Sequence, residues 1–144
     1  MNARGGMHLT IQDKIIAGIT IIHSLMGSVW IYLMTSQLGF SPSFILTNGV
    51  LALTGFVAAV GWFKRLRWGA VLGIVFFAIQ LLHIITPNFQ FSFTLGFNLN
   101  IAVGWFSGVE LAINLFALAM LLWMAYRLIA PNSSFKPNSL RGSA

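Results

Sequence analysis

Long apolar stretches alternate along the chain with short segments that contain Gly, Pro or charged residues. The stretches cover approximately residues 15–35, 44–63, 68–86 and 106–129. A helix needs about 20 apolar residues to cross a hydrocarbon core of about 30 Å. The pattern therefore predicts an all-α membrane protein, in which a bundle of four transmembrane helices forms a single domain over residues 1–144.

A second pattern separates the third stretch from the fourth. Apolar residues take every odd position there: Phe89, Phe91, Phe93, Leu95, Phe97, Leu99, Ile101, Val103 and Trp105. A period of two is typical of a strand with one apolar face and is not that of a helix. A lone strand in lipid would leave its backbone polar groups without partners. We therefore predict a β-hairpin outside the hydrocarbon over about residues 89–104, turning near residues 95–97.

Composition and charge predict how the helices are oriented in the membrane. Hydrophobic residues make up 58% of the chain and charged residues only 7%, against about a quarter charged in soluble domains. The eight basic residues precede the first stretch, join the second to the third, or lie near or after the end of the fourth: Arg4, Lys14, Lys64, Arg65, Arg67, Arg127, Lys136 and Arg141. The positive-inside rule makes this side cytoplasmic, so both termini are predicted there and the hairpin on the other side.

The same charges bear on location and partners. The length and the charge asymmetry fit a multi-pass protein of a cell membrane, specifically a bacterial inner membrane, with the lipid bilayer as its first partner. The net charge of +6 lies at the ends of apolar stretches, so we expect no nucleic-acid partner. The tail over about residues 131–144 is rich in Pro, Asn and Ser and is predicted to be disordered.

A layer of polar residues within the apolar stretches is the main candidate site: His83, Glu110, Gln80, Asn114 and Asn48. At a rise of about 1.5 Å per helical residue, all five fall roughly 4–10 Å from the membrane midplane, on its extracytoplasmic side. Such groups are costly in lipid and are functional candidates by default. One hypothesis is a ligand or ion pocket, in which His83 and Glu110 exchange a proton. The other is hydrogen bonding between helices with no further role.

The residue types give no support for a cofactor or a metal. The chain has no cysteine, and His83 with Glu110 supplies fewer than the three or four ligands of a stable zinc site. His23 is predicted to lie roughly 12 Å from the level of His83, which disfavours haem held by both histidines. We expect His23 to pack inside the bundle. The absence of a Gly-rich phosphate loop and of an H-E-x-x-H motif argues against an enzyme.

An aromatic row completes the candidate features: Phe89, Phe91, Phe93 and Phe97. It is either a lid packed on the bundle or an interaction surface whose edge pairs with a neighbouring subunit. The favoured function is a small accessory or self-assembling protein, found as a homo-oligomer or within a larger membrane complex. The alternatives are an oligomeric channel or carrier that uses the His83–Glu110 layer, and a membrane enzyme or a lipid- or quinone-binding protein.

Overall fold

The structure, a computed structural model, describes residues 9–39, 42–93, 95–105, 108–130 and 135. It contains four helices and one four-stranded antiparallel sheet within these ranges. The elements are α1 (Ile11–Leu38), α2 (Pro42–Phe63), α3 (Arg67–Ile79), β1 (Leu82–Thr86), β2 (Phe89–Ser92), β3 (Asn100–Trp105), β4 (Val109–Asn114) and α4 (Leu115–Ile129). The fold is therefore mixed, with helices and a sheet, where the sequence predicts only helices and a hairpin.

The two N-terminal helices are the long ones. Thr10 begins α1 with a capping box, in which its side chain accepts from the Asp13 N–H and the Asp13 carboxylate accepts from the Thr10 N–H. Gly39 ends α1 in the left-handed conformation, at φ 62°. Among the described residues, α1 and α2 are the helices long and apolar enough to cross a membrane.

The two C-terminal helices are shorter than the sequence predicts. A helix over 68–86 is wrong beyond Ile79, because the residues that follow form β1, a segment rich in the β-branched residues that favour strands. A helix starting at 106 is also wrong, since α4 begins only at Leu115. Asn114 starts α4 by accepting from the N–H groups of Phe116 and Ala117.

The sheet corrects the predicted hairpin. The strand order is β2-β1-β4-β3, so β2 and β3 lie at opposite edges and do not pair with each other. Instead β2 pairs with β1, β1 with β4, and β4 with β3, all antiparallel. The period of two correctly indicated β structure, but the partner strands β1 and β4 come from segments predicted as helix ends.

The sheet has two unlike faces, because side chains alternate along each strand. One face is apolar, and five of its large side chains are exposed: Leu82, Phe89, Ile101, Val103 and Ile113. The other face carries His83, Ala112 and Asn114, which are buried, together with the exposed Glu110. Ile84, Phe91 and Leu111 on this face are half-buried, so the described part of the chain covers the apolar face only in part.

Small residues bring α2 and α3 together. A Cβ atom added to Gly69 would lie 2.5 Å from the backbone of Gly61, which shows how closely the two helices approach. Ala52, Ala58 and Ala59 of α2 are also buried. The small-residue face of α2 is therefore used inside the molecule.

An ion pair joins the start of α1 to the end of α4. The Arg127 guanidinium donates to both carboxylate oxygens of Asp13 at 3.0–3.1 Å and to the Thr10 hydroxyl at 2.9 Å. The two charged side chains are 7% and 0% exposed. The predicted disordered tail over 131–144 lies outside the described residues except at Phe135, which is buried edge-to-face on Trp62.

Candidate functional site

The connection between the two edge strands passes through the interior. It comprises residues 93–99, here called the crossing segment, of which position 94 lies outside the described residues. Leu95 at its middle is fully buried, and Leu95 lies so close to Gly27 of α1 that a Cβ on Gly27 would be 2.7 Å from it. Gly96 follows with φ +64°, where a Cβ would lie 2.5 Å from the His23 carbonyl. A buried, irregular backbone of this kind needs hydrogen-bond partners.

Three polar side chains supply those partners at alternate residues of the crossing segment. The Leu95 N–H donates to Gln80 Oε1 at 3.1 Å, and the Phe97 N–H donates to His23 Nδ1 at 3.1 Å. The Leu99 N–H points to Asn114 Oδ1 at 3.4 Å. Gln80, His23 and Asn114 are each fully buried. These residues form what we call the acceptor row.

The geometry fixes the protonation of His23. Its Nδ1 must accept, because the Phe97 N–H can only donate, and its Nε2 lies 3.0 Å from Gln80 Oε1, which can only accept. The neutral ring with the proton on Nε2 satisfies both bonds. The ring also stacks on Phe116 of α4 at a centroid distance of 5.2 Å and meets Phe76 edge-to-face. His23 therefore packs in the core, as expected, and also holds the crossing segment.

Gln80 and Asn114 each serve two purposes. Gln80 directly follows α3, and its amide nitrogen donates to the Phe76 carbonyl at 3.2 Å. Asn114 caps α4 with the same oxygen that faces the crossing segment, and its amide nitrogen has no acceptor among the described residues. Both side chains are thus engaged with the backbone of this chain.

The remaining members of the predicted layer lie apart from the acceptor row. His83 is on β1, where its Nδ1 is 2.8 Å from the Ser92 hydroxyl of β2. Burial lowers the pKa of His83 below its usual value, and a hydrogen bond to the Gln80 backbone opposes this shift. Glu110 is exposed on β4 opposite Ile85, two register pairs from His83 and on the same face of the sheet.

Asn48 belongs to a different part of the molecule. It lies on α2, is buried, and donates from its amide nitrogen to the Phe44 carbonyl at 2.9 Å. The structure thus brings Gln80 and Asn114 together with His23, which the sequence placed at another depth. The ligand or ion pocket built on His83 and Glu110 stays a prediction. No group of three or more His, Asp or Glu side chains that could hold a metal occurs in the described ranges.

The four residues of the aromatic row differ in exposure. Phe89 is 56% exposed on β2 and Phe97 is 42% exposed on the crossing segment. Phe91 and Phe93 are half-buried and meet edge-to-face at a centroid distance of 5.0 Å. These last two line one wall of an apolar groove of about 350 Å³ with residues of α2 and α3: Thr47, Val50, Leu51, Thr54 and Ile79.

The role of His23 was not visible in the sequence. Its partner Phe97 is 74 residues away, and one histidine in an apolar helix carries no signal that it accepts from a loop. Gly96 next to Phe97, in a segment of alternating pattern, was the one local sign of an interrupted strand. Comparison of the chain with protein-family models, with curated proteins and with solved structures found no match.

Proposed function

We propose that this chain is a small integral membrane protein that acts by association, with the exposed part of the apolar face of its sheet as the docking surface. The carrying observation is the contrast between the two sides of the sheet. On its polar face, the buried Asn114 accepts from the backbone of the crossing segment and the buried His83 lies 2.8 Å from the Ser92 hydroxyl, whereas five large side chains of the apolar face are exposed. Exposed apolar patches of this kind mark interaction surfaces.

The bilayer location rests on the exposure of the helices. Only 33% of the apolar window of α1 and 39% of that of α2 are buried inside the molecule, whereas the core helix of a soluble protein would be mostly buried. The outward residues of these helices are large and apolar, and include Ile22, Val29, Leu46 and Leu53. Lipid is the solvent in which such a surface is stable.

The ion pair supports the proposed orientation. Asp13 near the start of α1 contacts Arg127 near the end of α4, so these two helix ends lie on one side of the molecule. Lys14 and Arg127, which the positive-inside rule places in the cytoplasm, are then at the same level. In this arrangement α3 and α4 complete the bundle, and the sheet lies toward the extracytoplasmic side.

Native mass spectrometry of the full chain, extracted in mild detergent from its own membrane, tests the association. The informative variant changes Ile101→Thr and Val103→Thr together. Threonine keeps the β-branched shape that strands favour while removing apolar surface. We expect the complex to weaken by about tenfold, which corresponds to about 1.4 kcal/mol.

The matched control is Val71→Thr on α3. Val71 is 50% exposed, close to the 53% of Val103, but it lies on a helix that the proposal turns to lipid. The control should leave the mass of the complex unchanged. A monomeric wild-type chain, or equal weakening by the variant and the control, would contradict the proposal.

A second candidate function is the binding of a lipid or isoprenoid tail, as in a quinone. It is favoured by the groove of about 350 Å³ between α2, the end of α3 and β2. The hydroxyls of Thr47 and Thr54 in its wall donate to helix carbonyls, so the wall offers little polar recognition. A small mass retained in native spectra, and lost in Leu51→Trp, would support this candidate. Spectra without any such mass would count against it.

A further inference from the structure

Strand β3 is uncovered on three sides. Residues 100–104 are all exposed, on both faces of the sheet. The strand is an edge of the described sheet, because β4 is its neighbour on one side and no described strand lies on the other. Ile101 and Val103 are 58% and 53% exposed. Natural edges are usually protected by Lys, Pro or a bulge, but the sequence of β3 is Asn-Ile-Ala-Val-Gly-Trp.

The backbone groups on the free edge can be assigned from the register. The Leu115 N–H donates to the Leu99 carbonyl at 2.8 Å, so Leu99 directs its carbonyl toward β4. Successive residues of an antiparallel strand alternate between the two neighbours. Ile101 and Val103 therefore face β4, whereas Asn100, Ala102 and Gly104 present their N–H and C=O groups at the free edge.

We propose that this edge pairs with β3 of a second copy of the chain, antiparallel and centred on Ala102. The two strands would be related by a two-fold axis perpendicular to the sheet, which joins two four-stranded sheets into one of eight. Ala102 then pairs with Ala102 of the second copy, and Asn100 pairs with Gly104. All three outward residues of each strand gain both backbone hydrogen bonds, six bonds in total for the pair of strands.

The side chains are complementary in this register. Ile101 lies opposite Val103 of the second copy, which forms a pair of β-branched residues on the apolar face. Ala102 lies at the symmetry axis, beside Ala102 of the second copy. Its small side chain fits there, whereas two large side chains at this position would collide. The apolar faces of both sheets become one continuous surface.

Polar groups match on the opposite face. Glu110 lies beside Gly104 in the register of β3 and β4, and Gly104 pairs with Asn100 of the second copy. Since Gly104 has no side chain and a Cβ there would meet no atom within 4 Å, the exposed Glu110 carboxylate can reach across it to accept from that Asn100 amide. No like charges meet in this register, because Glu110 is the only ionisable residue of β3 and β4.

The other edge is a poorer candidate. Strand β2 has only four residues, and two of them, Phe91 and Ser92, are half-buried. The inference rests on the proposed function: it names a second copy of the chain as the partner and includes Ile101 and Val103 of the apolar face in the contact.

Two proline variants of the full chain test the edge by native mass spectrometry. Ala102→Pro removes an outward N–H and leaves the bonds to β4 intact, since proline is tolerated on an edge in this position. Gln90→Pro is the matched control, because Gln90 by its register is an outward residue of β2. We expect Ala102→Pro to reduce the dimer by at least about tenfold and Gln90→Pro to leave it unchanged.

Single cysteine variants test the register in the native membrane, without relying on the proline variants to fold. The wild-type chain has no cysteine, so each introduced thiol is the only one. Hydrogen-bonded antiparallel pairs have Cα atoms about 5.5 Å apart, within the range for a disulfide. Ala102→Cys should therefore form a cross-linked dimer on oxidation. Asn100→Cys should not, because the two Asn100 residues are more than about 13 Å apart along the strands.

The outcomes separate this inference from the proposed function. A dimer that survives Ala102→Pro, or that cross-links through Asn100→Cys as readily as through Ala102→Cys, would overturn the β3 pairing and leave the proposed function standing. A complex that contains other proteins but one copy of this chain would do the same. A chain that is alone in both measurements would overturn both.

Discussion

His23 and Gln80, 57 residues apart in the sequence, are joined by a hydrogen bond of 3.0 Å between Nε2 and Oε1. Each of them also accepts from a backbone N–H of the crossing segment, His23 from Phe97 and Gln80 from Leu95. The bond fixes the tautomer of His23 and links the middle of α1 to the end of α3. The two residues therefore act as one unit that holds the connection between the sheet edges.

The acceptor row predicts which amides exchange slowly with solvent. Leu95, Phe97 and Leu99 lie outside the strands, yet their amides should be protected because each donates to a buried side chain. Gln80→Leu should release Leu95, and His23→Phe should release Phe97, each raising the exchange rate by about tenfold or more. Hydrogen exchange resolved by residue in detergent micelles measures this.

Each acceptor side chain is expected to protect only its own backbone amide, and this provides the control. Leu99 should keep most of its protection in Gln80→Leu, and Leu95 should keep most of its protection in an Asn114→Ser variant, which preserves a cap for α4. Fast exchange at all three amides in the wild-type chain would show that the acceptor row does not hold the crossing segment.

Close packing of α2 on α3 makes two glycines of the same helix respond in opposite ways. Gly61→Ala places a Cβ 2.6 Å from Gly69 and should destabilise the protein by about 1–3 kcal/mol. Gly49→Ala meets nothing within 4 Å and should stabilise by up to about 1 kcal/mol through helix propensity. Unfolding by denaturant in detergent measures both. Similar effects at the two positions would contradict the close approach.

The buried ion pair predicts a non-additive double variant. Arg127→Met leaves the Asp13 carboxylate buried without its guanidinium and should cost about 3–5 kcal/mol. Adding Asp13→Asn removes the buried charge, so the double variant should regain most of this loss. The same unfolding measurement applies. A double variant no more stable than Arg127→Met would show that the pair is not buried as the structure describes.

Burial of His83 predicts a dependence of stability on pH. Its pKa lies below 6.5 in the folded protein, mainly because burial disfavours the charged ring. Below about pH 6.5 the unfolded chain takes up the proton first, so stability is complete above that pH and falls as pH decreases toward the folded pKa. His83→Gln should make this decline shallower. An unchanged slope below pH 6.5 would show that His83 does not contribute.

The type of secondary structure could be predicted from the sequence better than the pairing of one strand with another. Alternation over 89–105 correctly predicted strand structure at Phe89 and Ile101, because a period of two is a local property. The pairing of His83 with Ala112 is not local, so the short apolar run that became β1 could not be told from the end of a helix.

The candidate site shows the same limit. The sequence predicts that Gln80 and Asn114 share one polar layer of the membrane, and the structure buries both side chains. Their interpretation depended on depth along continuous helices, an assumption that fails once α3 ends at Ile79 and α4 begins at Leu115. His23 was set apart on the same assumption. The crossing segment that unites the three residues exists only because the strand order places β2 and β3 at opposite edges.

The most direct test of the proposed association is to ask what touches the apolar face of the sheet in the native membrane. A photoreactive amino acid would replace Val103 on β3 in one variant and Val71 on α3 in another, positions of similar exposure. We predict that illumination joins position 103 to a protein and position 71 to lipid. Lipid adducts alone at both positions would contradict the account, because the sheet would then be one more surface facing the bilayer.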